Sequence, residues 1–559
     1  MSFHGFKQVF SSLRTTSNEE SSTQTEMNPQ EPSTGMTDNT TLFQGFEWYL
    51  PSDGQQYRRL ARSLKSLKLL GVDQVWLPPG CKAGWQGSNG YDVYDLYDLG
   101  EFDQKGARGT KHGDKQALTD LSRLAQSIGV KLCWDAILNH KCAADYTEQC
   151  QAVKVDKENR LKTIGGKHEV EVWTGYNFDG RKDKYSSFKY HWHHFTGTDW
   201  EARLESNEHI YRFVGDDKPG WANDVDDTLG NYDYLMGNDL DHSQKEVRDD
   251  LHAWAEWIVK EVGVSGFRLD AVKHMSQSFL KAWIECLDTK FPKHLFFVGE
   301  YWRGDLDVLG PVIEKFNGRL HLFDVALAGN MSKISHDPVA ADLRKVFEGT
   351  LTKHYPEQAV TFILNHDTQP RYERDHHVIP ISPWFIPLGY ALILLRQTPS
   401  YPSVFYGDLY GIQSPDPQNT PHLAQPPSCL GILPRLMLAR KLWAYGPSRE
   451  YFDDAACVGF TRLGLAGADG AASKKEGLAV ILNIGTGYAV KRMFVGAQRR
   501  GQRFTDLLDF AWGEVVVDEE GWGVFPVGPR SVGVWLNSQA VGREKVEGLT
   551  RIPEMVYRT

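Results

Sequence analysis

Eight short apolar segments, many of them separated by helical patterns, constrain the fold of this 559-residue chain more than any other feature. They lie near residues 41, 71, 129, 266, 294, 319, 359 and 401. After the first segment, "YRRLARSLKSLKLLG" places Leu60, Leu64, Leu67 and Leu70 on one face, as an amphipathic helix does. Strands that alternate with helices in this way predict an α/β fold, a (β/α)8 barrel of the TIM type.

Two departures from the alternation predict additional domains. The third and fourth segments are separated by more than 110 residues, far beyond an ordinary connection, so we expect an inserted domain at 140–244. After about 440 the helical patterns give way to alternating segments, which predict an antiparallel β-sandwich domain at 439–539. The barrel would then comprise 41–139 and 245–438, with a disordered N-terminal tail at 1–40 and a C-terminal tail at 540–559.

The helix before the fourth strand carries a recognisable start signal. Ser243 and Glu246 have the spacing of a capping box, in which each side chain bonds the backbone of the other residue. We therefore expect Ser243 to cap this helix.

Composition excludes several classes of partner. The formal net charge is −10 and no long basic run occurs, which argues against nucleic acid. No apolar run approaches the roughly 18 residues that a membrane span needs. Seven scattered cysteines favour free thiols in a reducing compartment, and the N-terminus lacks the apolar core of a secretory signal. We expect a cytoplasmic monomer, with a faint likeness of residues 1–14 to a mitochondrial presequence as the alternative.

Polar side chains cluster where the predicted strands end. In a (β/α)8 barrel the C-terminal ends of the strands form the active face. The third, fourth, fifth and seventh strands supply most of these side chains: Asp135, Asn139 and His140; Arg268, Asp270, Lys273 and His274; Glu300; and Asn365, His366 and Asp367.

Three of these carboxylates indicate a catalytic role rather than a structural one. A single Asp after a strand is more often a helix cap than a catalytic group. Asp270, Glu300 and Asp367, however, would all converge on one rim of the barrel. In "GFRLDAVKH" (266–274), strand alternation also puts Arg268 on the same face as Asp270, and a buried ion pair is costly unless it is used.

Four ordered stretches identify a family. "DAILNH" (135–140), "GFRLDAVKH" (266–274), "VGEYW" (298–302) and "FILNHD" (362–367) resemble the signature blocks of α-amylases of glycoside hydrolase family 13. "QGFEWYLP" (44–51) and "NYDYLMGNDLD" (231–241) agree with this likeness. It extends over roughly 41 to 538 and is strongest towards the liquefying bacterial enzymes and the intracellular fungal enzymes similar to them.

The resemblance implies a catalytic role for each carboxylate. Asp270 would be the nucleophile that forms a covalent glycosyl-enzyme, and Glu300 would be the general acid and then the general base. Such retaining pairs lie about 5–5.5 Å apart. Asp367 would bind ring hydroxyls. We expect burial and negative neighbours to raise the pKa of Glu300, and we expect Arg268 to keep Asp270 ionised.

The resemblance also implies substrate contacts at the cleavage subsite. Tyr91 would stack beneath the sugar, with ordinary packing as the alternative for this ring. His140 and His366 would hydrogen-bond the sugar, although His140 could instead be a structural core histidine. The remaining substrate-binding residues implied at this subsite are Arg268, Lys273, His274 and Trp302.

A calcium site follows from the same resemblance. Asn139, Asp233 and Asp239 match its oxygen ligands, and the backbone carbonyl of His274 would complete the set; a surface acidic loop is the alternative. The liquefying enzymes hold further ions through additional aspartates, for which this chain has Thr196 and Ala222. Since only Asp241 of that set is kept, we expect one calcium ion.

Three functions remain open at this point. The first is endo-hydrolysis of α-1,4-glucosidic bonds in starch- or glycogen-type glucans and maltooligosaccharides. The second is a 4-α-glucanotransferase that acts on intracellular maltooligosaccharides and passes the same intermediate to a sugar hydroxyl, with cell-wall α-glucan or glycogen metabolism as its setting. The third is a catalytically silent binding protein, which the retention of all three carboxylates argues against.

Overall fold

The computed structural model describes residues 39–547 and Leu549, apart from 292–294, 371–378, 415–417, 419, 421–423 and 466–474. Nearly all of the predicted N-terminal tail (1–40) and about half of the predicted C-terminal tail (540–559) lie outside these residues. Within the described part of the chain, no helix has the length and apolar character to cross a membrane.

The core of the protein is a closed barrel of eight parallel strands in chain order. Leu42 pairs with Gln74 on one side and with Ser403 on the other, which closes the barrel between its first and last strands. The prediction of a (β/α)8 barrel is therefore confirmed. The strands are β1 Leu42–Gln44, β2 Gln74–Trp76, β3 Lys131–Ala136, β4 Gly266–Leu269, β5 Phe296–Gly299, β6 His321–Phe323, β7 Ala359–Thr361 and β8 Tyr401–Phe405.

Helices surround the barrel, and most of them are amphipathic and bury an apolar face, whereas Ile386–Leu395 is buried on all sides. The predicted face of the first helix is buried, with Leu64 and Leu67 fully inaccessible to solvent. Burial of a leucine side chain contributes roughly 1.5–3 kcal/mol, so such faces fix each helix to the strands. The principal helices are Gln56–Leu69, Lys115–Ser127, Lys245–Val262, Gln277–Lys290, Leu306–Lys315, Val325–His336, Ile386–Leu395 and Leu433–Leu442.

The capping box expected at Ser243 and Glu246 is wrong. The helix begins at Lys245, and Gln244 is its N-cap without a side-chain bond to the backbone. The Ser243 hydroxyl donates instead to Asp241, and the Glu246 carboxylate lies 3.1 Å from Nε2 of His194. A local bond to Asp241 and a tertiary contact with His194 thus replace the capping box.

The long segment between β3 and β4 forms a sheet of its own. A buried ion pair attaches it to the barrel, because Arg181 Nε donates to Asp95 in the loop after β2 at 2.9 Å. The six strands, in spatial order, are His140–Lys141, Asn238–Leu240, Phe195–Thr198, Ile210–Phe213, Tyr146–Val155 and Thr163–Gly175.

The C-terminal region is an antiparallel β structure with a separate apolar core. Phe504, Phe525 and Trp535 pack in this core between a six-stranded sheet and a two-stranded sheet. The strands are β9 Ser448–Tyr451, β10 Cys457–Arg462, β11 Leu478–Asn483, β12 Ala489–Phe494, β13 Arg503–Asp506, β14 Val515–Val516, β15 Trp522–Val527 and β16 Ser531–Asn537.

Gly197 provides a test of packing in the inserted sheet. A Cβ atom there would lie 2.5 Å from the backbone oxygen of Tyr211 and 2.7 Å from the ring of Trp221. Gly197→Ala should therefore lower the free energy of unfolding by about 1–3 kcal/mol, since the neighbouring strand must shift. Urea denaturation followed by circular dichroism measures this loss.

Gly166→Ala is the matched control, because a Cβ at Gly166 of the same sheet meets nothing within 4 Å. Equal stability of the two variants would contradict the packing argument.

Candidate active site

The parallel register of the barrel brings the predicted charged residues together. Arg268 on β4 is the register partner of Asp135 on β3, and Leu269 is the partner of Gly299 on β5. Asp270 and Glu300 follow directly after these strands, so both emerge at the same end of the barrel. The sequence-predicted convergence at positions 268, 270 and 300 is thus a geometric consequence of strand pairing.

The guanidinium of Arg268 joins three carboxyl groups. Its Nη1 donates to Asp135 Oδ1 at 2.9 Å and to Asp270 Oδ1 at 2.6 Å. Its Nη2 donates to Glu300 Oε2 at 3.0 Å, and the backbone N–H of Ala271 donates to the same oxygen at 3.0 Å. The carboxyl groups of Asp270 and Glu300 therefore bind the same guanidinium group, each through one hydrogen bond.

The charges of this cluster do not balance. One cation faces three carboxyl groups, and the side chains of Arg268 and Asp135 are 2% and 0% exposed. Burial raises the pKa of Asp270 to about 8; Arg268 opposes the rise, and the charges of Glu300 and Asp135 add to it. The expectation that Arg268 keeps Asp270 ionised is therefore wrong, because the effect of burial exceeds that of the shared guanidinium. The cluster as a whole retains a proton at neutral pH.

Aromatic rings form a wall beside this cluster. Tyr91 and His366 are stacked with 5.2 Å between ring centroids and an angle of 1°, and Trp48 lies 6.1 Å from each ring in near-parallel orientation. The Tyr91 hydroxyl donates to Asp135 Oδ2 at 3.0 Å and lies 2.8 Å from Nε2 of His366. The sequence analysis missed Trp48, although its position just after a strand end was a usable signal.

His140 presents an acceptor that has no partner among the described residues. Its Nε2 donates to the backbone oxygen of Tyr91 at 2.9 Å, which leaves the lone pair on Nδ1, and Nδ1 is buried without a hydrogen bond. Burial lowers the pKa of His140 to about 4, so the ring is neutral near pH 7. A buried unsatisfied acceptor of this kind fits a ligand hydroxyl.

Asp367 lies on the same rim, after β7. The carboxylate is 26% exposed and its Oδ2 lies 3.3 Å from Nε2 of His366. The Asn365 side chain fixes this turn by accepting hydrogen bonds from the backbone N–H of Asp367 at 2.9 Å and of Thr368 at 2.8 Å.

Lys273, His274 and Trp302 occupy the loops after β4 and β5. The Lys273 ammonium lies 4.7 Å from the ring centroid of Tyr232, and His274 Nδ1 lies 2.7 Å from the backbone oxygen of Tyr232. Burial lowers the pKa of Lys273, while the negative charges of Asp226 and Glu300 oppose that effect. The half-buried Trp302 ring lies 6.4 Å from Phe362. These residues border the cluster but do not bond to its guanidinium.

Three predicted metal ligands lie together between β3 and the inserted sheet. Asn139 Nδ2 donates to Asp239 Oδ1 at 3.2 Å, whereas Asn139 Oδ1 is buried without a partner. Burial raises the pKa of Asp233 to about 8, and burial together with the charge of Asp233 raises that of Asp239 well above its ordinary value. An orphaned amide oxygen beside two desolvated carboxyl groups fits an oxygen-liganded cation such as calcium.

A second group of possible ligands does not fit a metal. His193, His194 and Glu246 place ligand atoms within 4.8 Å of one another. The backbone N–H of His191 donates to His194 Nδ1, so the ring proton is on Nε2 and points to Glu246. A metal at Nε2 would have to displace that proton and oppose the hydrogen bond at Nδ1.

Comparisons with known proteins agree with this geometry. Residues 56–412 match the family described as "Alpha amylase, catalytic domain", and residues 478–536 match "Alpha-amylase C-terminal". The chain is 39% identical over 499 residues to a glucan 1,4-alpha-maltohexaosidase of Bacillus sp. (strain 707), covering 89% of this chain and 92% of that protein. It is 36% identical over 513 residues to a cytoplasmic alpha-amylase of Escherichia coli (strain K12), covering 90% and 100%.

Among solved structures, an Anoxybacillus alpha-amylase superimposes with a TM-score of 0.58 at 17% identity. The superposition covers 89% of this chain and 97% of that one, and it supports the fold.

Arg268→Met tests the dependence of the cluster on its cation. Removing the guanidinium should raise the carboxyl pKa values in the folded state further, so the folded protein binds more protons than the unfolded chain. Stability then falls as pH rises, and the loss should reach about 3–5 kcal/mol at pH 8 and be smaller at pH 5.5. Denaturant unfolding at both pH values measures it.

Arg344→Met removes the exposed Arg344–Asp342 pair and serves as control, and its stability should stay close to that of the wild type at both pH values because water screens an exposed pair. A pH-independent loss in Arg268→Met would contradict the electrostatic explanation.

Proposed function

The chain belongs to the α-amylase family of glycoside hydrolases, and from this premise we propose that it hydrolyses internal α-1,4-glucosidic bonds with retention of anomeric configuration. The observation that carries the proposal is the guanidinium of Arg268, which holds the carboxylates of Asp270 and Glu300 on one rim. Hydrolysis of α-1,4-glucans is the reaction of this family; the covalent mechanism and the residue roles below are our proposal.

The reaction begins with two coordinated events. Asp270 attacks the anomeric carbon of the reacting glucose unit, and Glu300 donates a proton to the glucosidic oxygen, which departs with the bonding electron pair as the hydroxyl of the released chain. Glu300 then takes a proton from water, the resulting oxygen attacks the anomeric carbon, and Asp270 leaves. Both carboxyl groups return to their starting protonation states.

The shared proton of the cluster explains how two neighbouring carboxyl groups perform opposite tasks. Asp270 must be ionised to attack, while Glu300 must carry the proton. Arg268 stays bound to Asp270 Oδ1 at 2.6 Å and can stabilise the negative charge there as the proton moves to Glu300. The raised pKa of Asp270 thus describes the cluster before the reaction, when the proton has not yet moved to Glu300.

The surrounding residues would bind the glucan. We propose that Tyr91 stacks on the reacting sugar, that Nδ1 of His140 accepts a hydrogen bond from a sugar hydroxyl, and that His366 and Asp367 bind ring hydroxyls. Arg268, Lys273, His274 and Trp302 would complete or border this subsite.

We propose one calcium ion, held by Asn139, Asp233, Asp239 and the backbone carbonyl of His274. When bound, calcium would neutralise the buried carboxylates and tie the inserted sheet to the barrel. The Lys218 ammonium lies 3.2 Å from Asp241 Oδ2 with both side chains buried, so the protein itself supplies a cation at that aspartate. This arrangement supports a single ion rather than a cluster.

The cellular substrate is proposed from the relatives. A cytoplasmic enzyme of Escherichia coli matches over its whole length, which favours a cytoplasmic location and intracellular maltooligosaccharides or glycogen-type chains as substrates. We propose domain limits at 41–139 with 245–438 for the barrel, 140–244 for the inserted domain and 439–539 for the C-terminal domain.

Product analysis with maltoheptaose tests the reaction class. Hydrolysis should give only shorter chains, with the α-anomer formed first, whereas products longer than the donor would assign the enzyme to glucan transfer. Asp270→Asn should lower kcat at least about 10³-fold because the nucleophile is lost. Chromatography of products and NMR of the first-formed anomer are the measurements, and unchanged activity of Asp270→Asn would favour a non-catalytic role for this site.

Calcium removal tests the metal proposal. The pKa of Asp233 is raised in the folded protein, so without the ion this carboxyl costs increasing stability as pH rises from about 5 to its pKa of about 8. Calcium needs the ionised ligands, and the increase in Tm on adding it to chelator-treated protein should therefore be larger at pH 8 than at pH 5.5. Metal analysis should find one ion per chain, and two or more tightly held ions would contradict the proposal.

A further inference from the structure

Glu47 is a buried carboxylate that the reaction scheme does not use. It lies three residues after β1 with 0% exposure. Its Oε2 accepts hydrogen bonds from the backbone N–H of Tyr49 at 2.7 Å and from Gln369 Nε2 at 3.0 Å, and its Oε1 accepts from the backbone N–H of Gln413 at 3.2 Å. The carboxylate therefore joins the loops that follow β1, β7 and β8, and it accepts the hydrogen bond in each of these contacts.

Gln369 extends this connection to the neighbouring backbone. Its Nε2 donates to Glu47, and its Oε1 accepts from the backbone N–H of Trp48 at 3.0 Å. These two bonds fix the orientation of the amide. Gln369 also bonds through its backbone N–H to the oxygen of Asn365 at 2.9 Å, which ties it to the turn that carries Asp367.

The residue held by these bonds is Trp48. Its backbone is fixed by Gln369 and by the ammonium of Lys111, which donates to the Trp48 oxygen at 3.3 Å. Its ring is near-parallel to those of Tyr91 and His366 at 6.1 Å. A shift of the Trp48 backbone would therefore move the aromatic wall of the proposed cleavage subsite.

We propose that Glu47 is a positioning residue for glucan cleavage, acting through Gln369 and the Trp48 backbone to hold the Trp48 ring against Tyr91 and His366. This inference rests on the proposed function, because it requires that the aromatic wall of Trp48, Tyr91 and His366 contacts the reacting sugar. Small displacements of a reacting group can lower a rate by about 10²-fold, so fixing this wall affects catalysis more than binding.

The chemistry of the site explains why glutamate, and not its amide, occupies it. All three groups that face the carboxylate are N–H donors, so a glutamine would direct its own NH2 group at one of them. Burial raises the pKa of Glu47 to about 7, while the three hydrogen bonds and the positive charge of Lys111 oppose this rise. These bonds and the charge of Lys111 offset part of the desolvation cost of the buried carboxylate.

A pair of single variants and their combination test the proposal. Glu47→Gln should lower kcat about 10- to 100-fold and change KM less than about threefold. In the double variant E47Q/Q369E the new carboxylate accepts from the Trp48 N–H and from the new amide at position 47, so the side-chain link is restored. The double variant should recover kcat at least about threefold over Glu47→Gln.

The assay uses full-length protein and a chromogenic aryl maltotrioside. The amount of competent enzyme is measured by mass spectrometry after covalent labelling with a 5-fluoro-α-glucosyl fluoride, so kcat refers to folded sites. Asp408→Asn is the matched control. It removes another buried carboxylate, bonded to Tyr390 and Ser428, and should lower Tm without lowering normalised kcat more than twofold.

The outcomes separate the inference from the proposed function. The positioning role is overturned if Glu47→Gln keeps kcat within twofold of the wild type, or if the double variant is no faster than Glu47→Gln. The hydrolase assignment stands in both cases. Wild-type protein that neither cleaves nor is labelled overturns the proposed function itself. If Glu47→Gln does not fold, Gln369→Met replaces it: a drop of about tenfold in normalised kcat supports the proposal and an unchanged kcat overturns it.

Discussion

The guanidinium of Arg268 is the interaction on which the active face depends. It is buried, and it is bonded to Asp135, Asp270 and Glu300, which come from three adjacent strands or their ends. Without this cation, carboxyl groups in such a desolvated position could not remain ionised together. Burial and the excess of negative charge raise the pKa of Asp270, and the proposed reaction would use the proton held there because it needs an acid beside a nucleophile.

The fold and the charged centre were both predictable because each follows from local patterns. Eight apolar segments with helical spacers predict the closed barrel, and the register of parallel strands then places strand-end residues on one rim. Asp270, Glu300 and Asp367 could be placed on one rim of the barrel from these strand ends alone. The resemblance of four motifs added their roles, and the match to the α-amylase family supports that assignment at the level of the family.

What could not be predicted depends on which of several possible partners a side chain takes in the folded protein and on how deeply it is buried. Ser243 has the right spacing for a cap, but Asp241 is within reach of its hydroxyl and takes that bond. Asp270 was expected to stay ionised beside Arg268, but the sequence contains no information on depth, and burial of this side chain to 10% exposure raises its pKa. Trp48 was missed because stacking depends on loop geometry.

Glu47 extends the same argument from the centre to its surroundings. Strand ends fix the positions of the first backbone atoms of each loop, and side-chain bonds then fix the loops after β1, β7 and β8 relative to one another. A buried acceptor that faces three N–H donors supplies such bonds. The cluster at Arg268 and the carboxylate of Glu47 are thus two uses of buried charge: in the proposed reaction the first would distribute a proton between Asp270 and Glu300, and the second would fix the aromatic wall beside them.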